Sequence, residues 1–336
     1  MTKEEILLFR LSGQHLVSPS RPLTVVKHTC GLQAQYLSHA LHALSLRSGT
    51  ADTRGMVKTW ANRGTMHLIA EEDLPLFLHR DRTHFLRPAD TMESDDKVSA
   101  SGKQYYADLI LSHVKTGTST REELRDLCRR NGMSDSEETS LFDPWGGLIR
   151  ALCESGRLCH EISEEKAYRL CPSFEPMEGQ SARLELARRY FTHFGPATIR
   201  DAAYFFGATQ KAAKQWLDQL PVQETEYDGK TYFHIPATLS PAVEIPPCLF
   251  LSGFDQFLLG YEKKESLVLA PEDIRNIFTL SGIVRPAVLL HGQVVGWWNL
   301  KNQKLTVTCF RPCDKSLLRW AAETLWPELR SISILQ

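Results

Sequence analysis

The sequence predicts an α+β chain in which three tandem winged-helix modules precede a small antiparallel β-sheet or β-barrel with a C-terminal helix. Two observations support this prediction. One order of elements, a helix, a helix–turn–helix and a β-hairpin, recurs along the first 236 residues, and a proline-rich run at 236–247 leads into closely spaced apolar β-runs. We therefore expect four modules, with bounds at 1–100, 101–178, 179–236 and 237–336.

The composition is that of an ordinary globular protein. The chain has 336 residues, of which 42% are hydrophobic and 24% charged, which excludes disorder, collagen-like repeats and a coiled coil as the main architecture. No run of 18 apolar residues exists, and the first ten residues lack the pattern of a secretory signal. We expect a cytoplasmic protein that does not enter a membrane.

The first module has the least regular pattern. Apolar residues at helical spacing predict a helix over 4–16 and two helical pieces within 23–46, joined near Cys30-Gly31. We also predict a helix over 54–62 and a strand over 65–69.

The second module starts with a predicted helix over 103–115. A capping box, Thr120-Arg-Glu-Glu123, opens the next helix. An acidic, serine-rich loop then precedes a second helix over 142–155. Two short strands, 156–161 and 166–171, complete the pattern as a wing.

The third module is the clearest. An amphipathic helix is predicted over 181–194, and Thr198 opens a helix with Asp201 in the place that Glu or Gln usually takes in a capping box. Thr209 caps the following helix. The segment 224–235 predicts two strands around Asp228-Gly229, the strongest short signal for a hairpin.

The last 100 residues are predicted to be mainly β. Apolar or alternating runs predict strands over 283–290, 293–300 and 304–310, and a closing helix is expected over 315–325. Trp297 and Trp298 are consecutive in a strand and point to opposite faces, so at least one belongs to the core.

The balance of charge argues against a protein that coats nucleic acid through bulk charge. The net charge is −1, from 39 basic and 40 acidic residues. Locally the balance differs: residues 181–216 carry a net charge of +4, and residues 131–165 carry −6. Charged helix faces are usually just solvated, but in a series of winged helices we favour a DNA-facing basic surface.

The segment Gly31-Leu-Gln-Ala-Gln-Tyr36 is a candidate site of chemistry. If it were in the middle of a helix, Gln33 and Gln35 would point about 200° apart and could not converge. At a turn or a helix start, both carboxamides could face one cavity. Composition alone makes two surface glutamines the simpler interpretation.

Five motifs occur in order along the chain. They are Gly31–Gln35, Trp60–Leu68, Phe194–Thr198 with Asp201, Leu251–Tyr261, and Arg285-Pro286 before Gly296-Trp297. Together they resemble one family, the winged-helix DNA glycosylases whose founding member protects an azinomycin-producing bacterium by unhooking DNA interstrand crosslinks. The resemblance covers nearly the whole chain and implies three winged helices plus a β-barrel around a C-shaped DNA channel.

The resemblance implies that Gln33 and Gln35 are catalytic, since the family's Gln-apolar-Gln motif falls on them. A related branch has Asp in place of the second Gln, so Gln35 places this chain with the crosslink-unhooking branch. Further candidates for contact with DNA are Arg63, His67, Lys211, Lys214 and Arg285.

Two of these motif residues have an alternative role. His67 is either a core residue of its strand or a contact to DNA. Asp255 could be an active-site carboxylate, but its apolar neighbours favour a buried hydrogen-bond anchor.

The implied activity is that of a monofunctional bacterial DNA glycosylase that releases cationic N7-alkylpurines, crosslinks included. No lysine is specially placed for a Schiff base. We expect a monomer that acts on double-stranded DNA at the nucleoid, without a cofactor. The eight cysteines form no C-x-x-C pair, so no metal site is expected. The rival hypotheses are a non-catalytic winged-helix DNA-binding protein, such as a regulator, and a damage-binding protein without activity.

Overall fold

A computed structural model of the chain describes residues 1–82, 98–143, 147–236 and 244–336. The chain divides into two compact units. Unit 1 comprises Met1–Gln33, Ser38–Asp52 and Leu186–Gln336, and unit 2 comprises Ala34–Leu37 and Thr53–Glu185. Each unit is therefore built from segments that are separated in the sequence. Pro241 of the predicted proline-rich run lies outside the described residues.

The α-helices of the described residues range from a single turn to four turns. In chain order they are α1 (Lys3–Gly13), α2 (Pro22–His28), α3 (Leu37–Ser48), α4 (Leu74–Phe77), α5 (Ala100–Val114), α6 (Arg121–Arg130), α7 (Asp135–Leu141), α8 (Gly147–Glu154), α9 (Gly179–His193), α10 (Ile199–Phe206), α11 (Gln210–Leu217), α12 (Gln256–Leu259), α13 (Ile274–Ile277) and α14 (Lys315–Leu325).

The β-strands are short. They are β1 (Leu32–Gln33), β2 (Met56–Trp60), β3 (Met66–Ala70), β4 (Ser119–Thr120), β5 (Leu158–His160), β6 (Ala167–Leu170), β7 (Gln223–Tyr227), β8 (Lys230–His234), β9 (Cys248–Phe250), β10 (Ala287–Leu290), β11 (Gln293–Lys301), β12 (Lys304–Cys309) and β13 (Ser331–Leu335).

Antiparallel pairing dominates both units. In unit 2, strands lie side by side in the order β3-β2-β5-β6-β4, and every pair is antiparallel. In unit 1, β7 and β8 form a hairpin, and a five-stranded sheet has the order β13-β12-β11-β10-β9. Only β13 is parallel to its neighbour, β12. The mixed α and β content agrees with the predicted class. For the C-terminal region the sequence left a β-sheet and a β-barrel as alternatives, and the structure shows a sheet.

Local signals predicted many elements correctly. The capping boxes at Thr120 and Thr198 both form. In the second box, the Asp201 carboxylate accepts a hydrogen bond from the backbone N–H of Thr198 at 3.0 Å. Three hairpin turns have positive φ at both central residues, which defines the type I′ turn that matches strand twist. These are Asp228-Gly229, His291-Gly292 and Asn302-Gln303.

The predicted helix over 54–62 is wrong, because the segment forms strand β2. Met56–Trp60 contains β-branched and aromatic residues, and it pairs with β3 through a tight connection. In that connection Arg63 and Gly64 have φ of 53° and 62°. The strand is buried at four consecutive positions, so it lacks the alternation that marks a half-exposed strand.

The acidic stretch of the second module is also not a simple loop. Ser134 and Glu137 form a third capping box, which opens α7, and the acidic first turn complements the positive end of that helix. The predicted helix over 142–155 consequently begins only at Gly147. Strand β10 begins four residues later than predicted, at Ala287, since Pro286 has no N–H to donate to a ladder.

The core of unit 2 lies among its helices and its sheet. Ile110 of α5, Leu124 of α6 and Leu152 of α8 are fully buried in one apolar cluster, and Trp60 of β2 packs against it. The helices thus hold one face of the sheet in place.

A buried ion pair anchors unit 1. Arg47 of α3 donates two hydrogen bonds to Asp255, Nη1 to Oδ2 at 3.1 Å and Nη2 to Oδ1 at 2.6 Å, and both side chains are fully buried. The Ser252 hydroxyl and the Phe257 N–H also donate to Asp255. Burial raises the pKa of this carboxyl, but Arg47 and the other donors outweigh it and hold the pKa below its usual value. Asp255 is therefore a structural anchor of the fold.

Replacing Asp255 by Asn should destabilise the protein strongly, because Arg47 would then be a buried charge without a counter-charge. We expect the free energy of unfolding to fall by about 3–5 kcal/mol, measured by urea denaturation. Because the folded-state pKa is depressed, the wild-type pair stabilises above the unfolded-state pKa, and this stability is lost as the pH falls through the folded-state pKa. The matched control is Asp218→Asn, which breaks an exposed pair with Lys214 and should change stability little. Equal effects of the two substitutions would contradict the anchoring role.

Candidate active site

The Gln-Ala-Gln segment lies in a non-helical connection. Helix α2 ends at His28, and the chain then turns at Cys30 and Gly31, whose φ values are 51° and 85°. A short strand ends at Gln33, and α3 begins only at Leu37. Gln33 and Gln35 are therefore not part of one continuous helix, so helical geometry does not force their side chains to point in opposite directions.

The two glutamines have different environments. Gln33 is 8% exposed, whereas Gln35 is exposed and lines a cavity of unit 2. Gln33 is not one of the described residues that line this cavity. Between them, Ala34 donates its N–H to the carbonyl of Met66 at 2.8 Å, which holds the Gln35 turn against β3 within unit 2.

The cavity beside Gln35 has a volume of about 110 Å³. Its walls combine apolar, basic and acidic side chains. The lining residues are Gln35, Leu37, Lys58, Trp60, Met66, Arg121, Asp143, Ile149, Arg150, His160, Glu164, Lys166 and Tyr168.

The register of the sheet explains why these side chains meet. Lys58 of β2 is opposite His160 of β5, and His160 is opposite Tyr168 of β6. Trp60, two residues after Lys58, is on the same face of β2 and is opposite Met66. One face of the unit 2 sheet therefore forms a wall of the cavity.

The cavity is electrostatically unusual. Burial, together with Lys58, Lys166 and Arg121, lowers the pKa of His160 to about 3, so its imidazole is neutral at pH 7. Burial also lowers the pKa of Lys58, whose Nζ donates to the Ser163 carbonyl at 3.1 Å. Basic side chains are thus held close together around a neutral histidine.

His67 lies on the other face of the sheet. Its partner in the register is Thr59, which alternates with Lys58 and Trp60 along β2. His67 is 1% exposed, and its Nδ1 donates to the Thr65 carbonyl at 3.0 Å. Of the two roles left open by the sequence, this burial favours the core role.

The four remaining candidates for contact with DNA are basic side chains at or near the surface. In unit 2, Arg63 is half-buried in the β2–β3 connection. In unit 1, Lys211 and Lys214 are exposed on α11, and Lys214 pairs with Asp218 at 2.9 Å. Arg285 is half-buried above the Trp297 ring at 4.8 Å and donates to the Asn276 carbonyl. Trp298 is the member of the tryptophan pair that belongs to the core.

Sequence reasoning missed Lys58 and His160. A signal was present, since Lys58 interrupts an apolar run, Met56-Val-Lys-Thr-Trp60, in which a charged side chain requires a polar partner. The predicted helix over 54–62 hid it, because Lys58 and Trp60 share a face in a strand and not in a helix.

Within the described ranges, no group of three or more His, Cys, Asp or Glu side chains is arranged to hold a metal ion. The same residues include no helix that is both long and apolar enough to cross a membrane.

Comparisons with known proteins agree on one family. A family model described as "DNA glycosylase AlkZ-like" matches residues 26–329. An interstrand DNA cross-link repair glycosylase of Streptomyces sahachiroi is 28% identical over 340 residues, covering 93% of this chain and 91% of that relative. The solved structure of Streptomyces sahachiroi DNA glycosylase AlkZ covers both chains fully, with a TM-score of 0.79 and 24% identity. This structural likeness extends over the whole fold.

The buried His67 should make the protein sensitive to acid. Its pKa is lowered to about 3, chiefly by burial, so the unfolded chain takes up a proton near pH 6.5 that the folded chain does not accept. His67 should therefore lower the free energy of unfolding by about 2 kcal/mol between pH 7 and pH 5. Urea denaturation of His67→Gln at both pH values should show a fall smaller by that amount. The same substitution at the exposed His113 should leave the fall unchanged, and an unchanged fall in His67→Gln would refute the assignment.

Proposed function

The chain belongs to the AlkZ-like DNA glycosylase family, and we propose that it hydrolyses the N-glycosidic bond of cationic N7-alkylated purines, interstrand crosslinks included. The relative from Streptomyces sahachiroi is named for cross-link repair, which supports this choice of substrate. The observation that carries the proposal is the position of Gln35. It is exposed at the edge of a polar cavity, within the part of the chain that the family model matches.

The chemistry requires little from the enzyme at the leaving group. Alkylation at N7 makes the purine cationic, so when the bond between C1′ and N9 breaks, its electron pair neutralises the departing base. The sugar is left with oxocarbenium character, and a water adds to C1′ and gives up a proton to the solvent. Catalysis then consists of placing that water and stabilising the developing positive charge.

A carboxamide suits this task because it both accepts and donates hydrogen bonds. We assign the orientation of the water to Gln35, whose side chain is exposed and lines the cavity. Gln33, which is mostly buried, would support the motif or contact the sugar and the phosphate.

The winged-helix modules are part of the proposal. In unit 2, helices α5, α6 and α8 with the β5–β6 hairpin have the order of a winged helix. Helix α9 and, in unit 1, helices α10 and α11 with the β7–β8 hairpin repeat this order. We propose that these modules, within the bounds 101–178 and 179–236, bind duplex DNA as part of a monomer. Arg63, Lys211, Lys214 and Arg285 would contact phosphates.

Lys58 bears on the expectation of a monofunctional enzyme, because it lies in the cavity beside Gln35. Its Nζ donates to the Ser163 carbonyl, and Glu164 opposes the lowering of its pKa by burial. These contacts favour an ammonium ion, which is not a nucleophile, so we propose hydrolysis without strand cleavage.

Replacing Gln35 by Ala should abolish most of the activity without unfolding the protein. We expect single-turnover release of N7-methylguanine from a duplex to slow by about 100-fold or more. The exposed side chain predicts a change in the free energy of unfolding within about 0.5 kcal/mol. After reaction with the wild type, heating the DNA in alkali should reveal abasic sites. Borohydride added during that reaction should trap no covalent adduct between Lys58 and the DNA.

The matched control is Gln104→Ala on α5, since Gln104 lies outside the cavity lining. It should release base at the wild-type rate. Base release by Gln35→Ala at the wild-type rate would refute the role of the motif, and no release by the wild type from N7-methylguanine or a nitrogen-mustard crosslink would refute the substrate class.

A further inference from the structure

The cavity beside Gln35 carries more positive than negative charge. Its cationic side chains are Lys58, Arg121, Arg150 and Lys166, and its carboxylates are Asp143 and Glu164. With His160 neutral, the lining therefore carries a net positive charge. A cationic N7-alkylpurine would be repelled by this lining, whereas an anionic group would be attracted.

The Nε2 atom of His160 is buried and has no hydrogen-bond partner among the described residues. The residue as a whole is 7% exposed. A neutral imidazole can carry its proton on Nε2 and donate it to an oxygen atom. An acceptor that enters the cavity would satisfy this atom, which is otherwise desolvated at a cost.

The aromatic side chains of the cavity, Trp60 and Tyr168, already pack against other side chains. Enzymes that extrude a damaged base hold it between aromatic or apolar side chains. Here the Arg150 guanidinium lies over the Trp60 ring, 4.3 Å from the ring centroid. Arg150 is itself held by Glu154 at 3.1 Å. One face of the Trp60 ring is thus covered by a cation, and the buried Tyr168 ring packs against the His160 ring with 4.7 Å between their centroids.

We propose that this cavity binds a backbone phosphate next to the lesion, with His160 and Lys58 as buried donors, while the damaged base stays outside. The inference rests on the proposed function, since it assigns a part of that substrate to the site. A phosphate seated here places the adjoining sugar at Gln35, on the exposed edge of the cavity. Its negative charge also stabilises the oxocarbenium-like sugar. Bulky adducts then need no pocket of their own.

The experiment measures binding to a duplex with a tetrahydrofuran abasic analogue, in which single phosphates near the analogue are replaced by uncharged methylphosphonates. Fluorescence anisotropy gives the affinity at a fixed salt concentration. For the wild type we expect one phosphate position at which the replacement weakens binding about tenfold or more.

His160→Leu should weaken binding to the unmodified duplex by a similar factor, and the replacement at that position should then cost nothing further. His160→Gln, which keeps an N–H donor, should restore part of the affinity and of the positional effect. His113→Leu, the same change at an exposed histidine of α5, should behave as the wild type. Lys58→Gln tests the same position independently if His160→Leu does not fold.

Three results would overturn the proposal. The first is a positional effect that persists in full in both His160→Leu and Lys58→Gln. The second is the lack of any positional effect in the wild type. The third is a loss of discrimination between damaged and intact bases in His160→Leu with the positional effect unchanged, which would assign the cavity to the base. Because the abasic analogue requires no catalysis, a positional effect without base release would instead refute only the proposed function.

Discussion

Burial of the strand Met56–Trp60 on both faces is the constraint on which unit 2 depends. The strand pairs with β3 on one side and β5 on the other, so its side chains must alternate between two packed faces. Thr59 is then fully buried, and Lys58 must find polar partners on the opposite face. It finds them in the Ser163 carbonyl and in the charge of Glu164, and the polar cavity is the result.

The protein handles buried charge in two distinct ways. Arg47 and Asp255 carry opposite charges and are joined by two hydrogen bonds, so this pair fixes α3 to the Ser252–Phe257 segment. In the cavity beside Gln35, cations exceed carboxylates, and a neutral histidine is left with an unpartnered Nε2 among the described residues. Such an arrangement opposes folding, because like charges repel and a desolvated donor is unpaired. It is consistent with a site that is complete only when an anion is bound.

The candidate site could be located from the sequence but not constructed. Gln33 and Gln35 were identified from a motif, and the cavity lies beside the second of them. Their unequal exposure could not be derived, because it depends on the turn at Cys30-Gly31 and on the bond from Ala34 to Met66. His160 is about 100 residues away in the sequence, and only strand pairing brings it opposite Lys58. The role of His67 was likewise a matter of which face of a strand packs inward.

What the sequence determined by itself was local. The capping boxes at Thr120 and Thr198, the type I′ turns and the closing helix Lys315–Leu325 all follow from residues within a few positions of one another. The tertiary structure decided that 56–60 is a strand, which of its side chains enter the cavity, and which charges meet there. The physical reason is range: a cap or a turn closes its hydrogen bonds within one short segment, whereas strand identity, burial and pKa depend on partners that the chain supplies from far away.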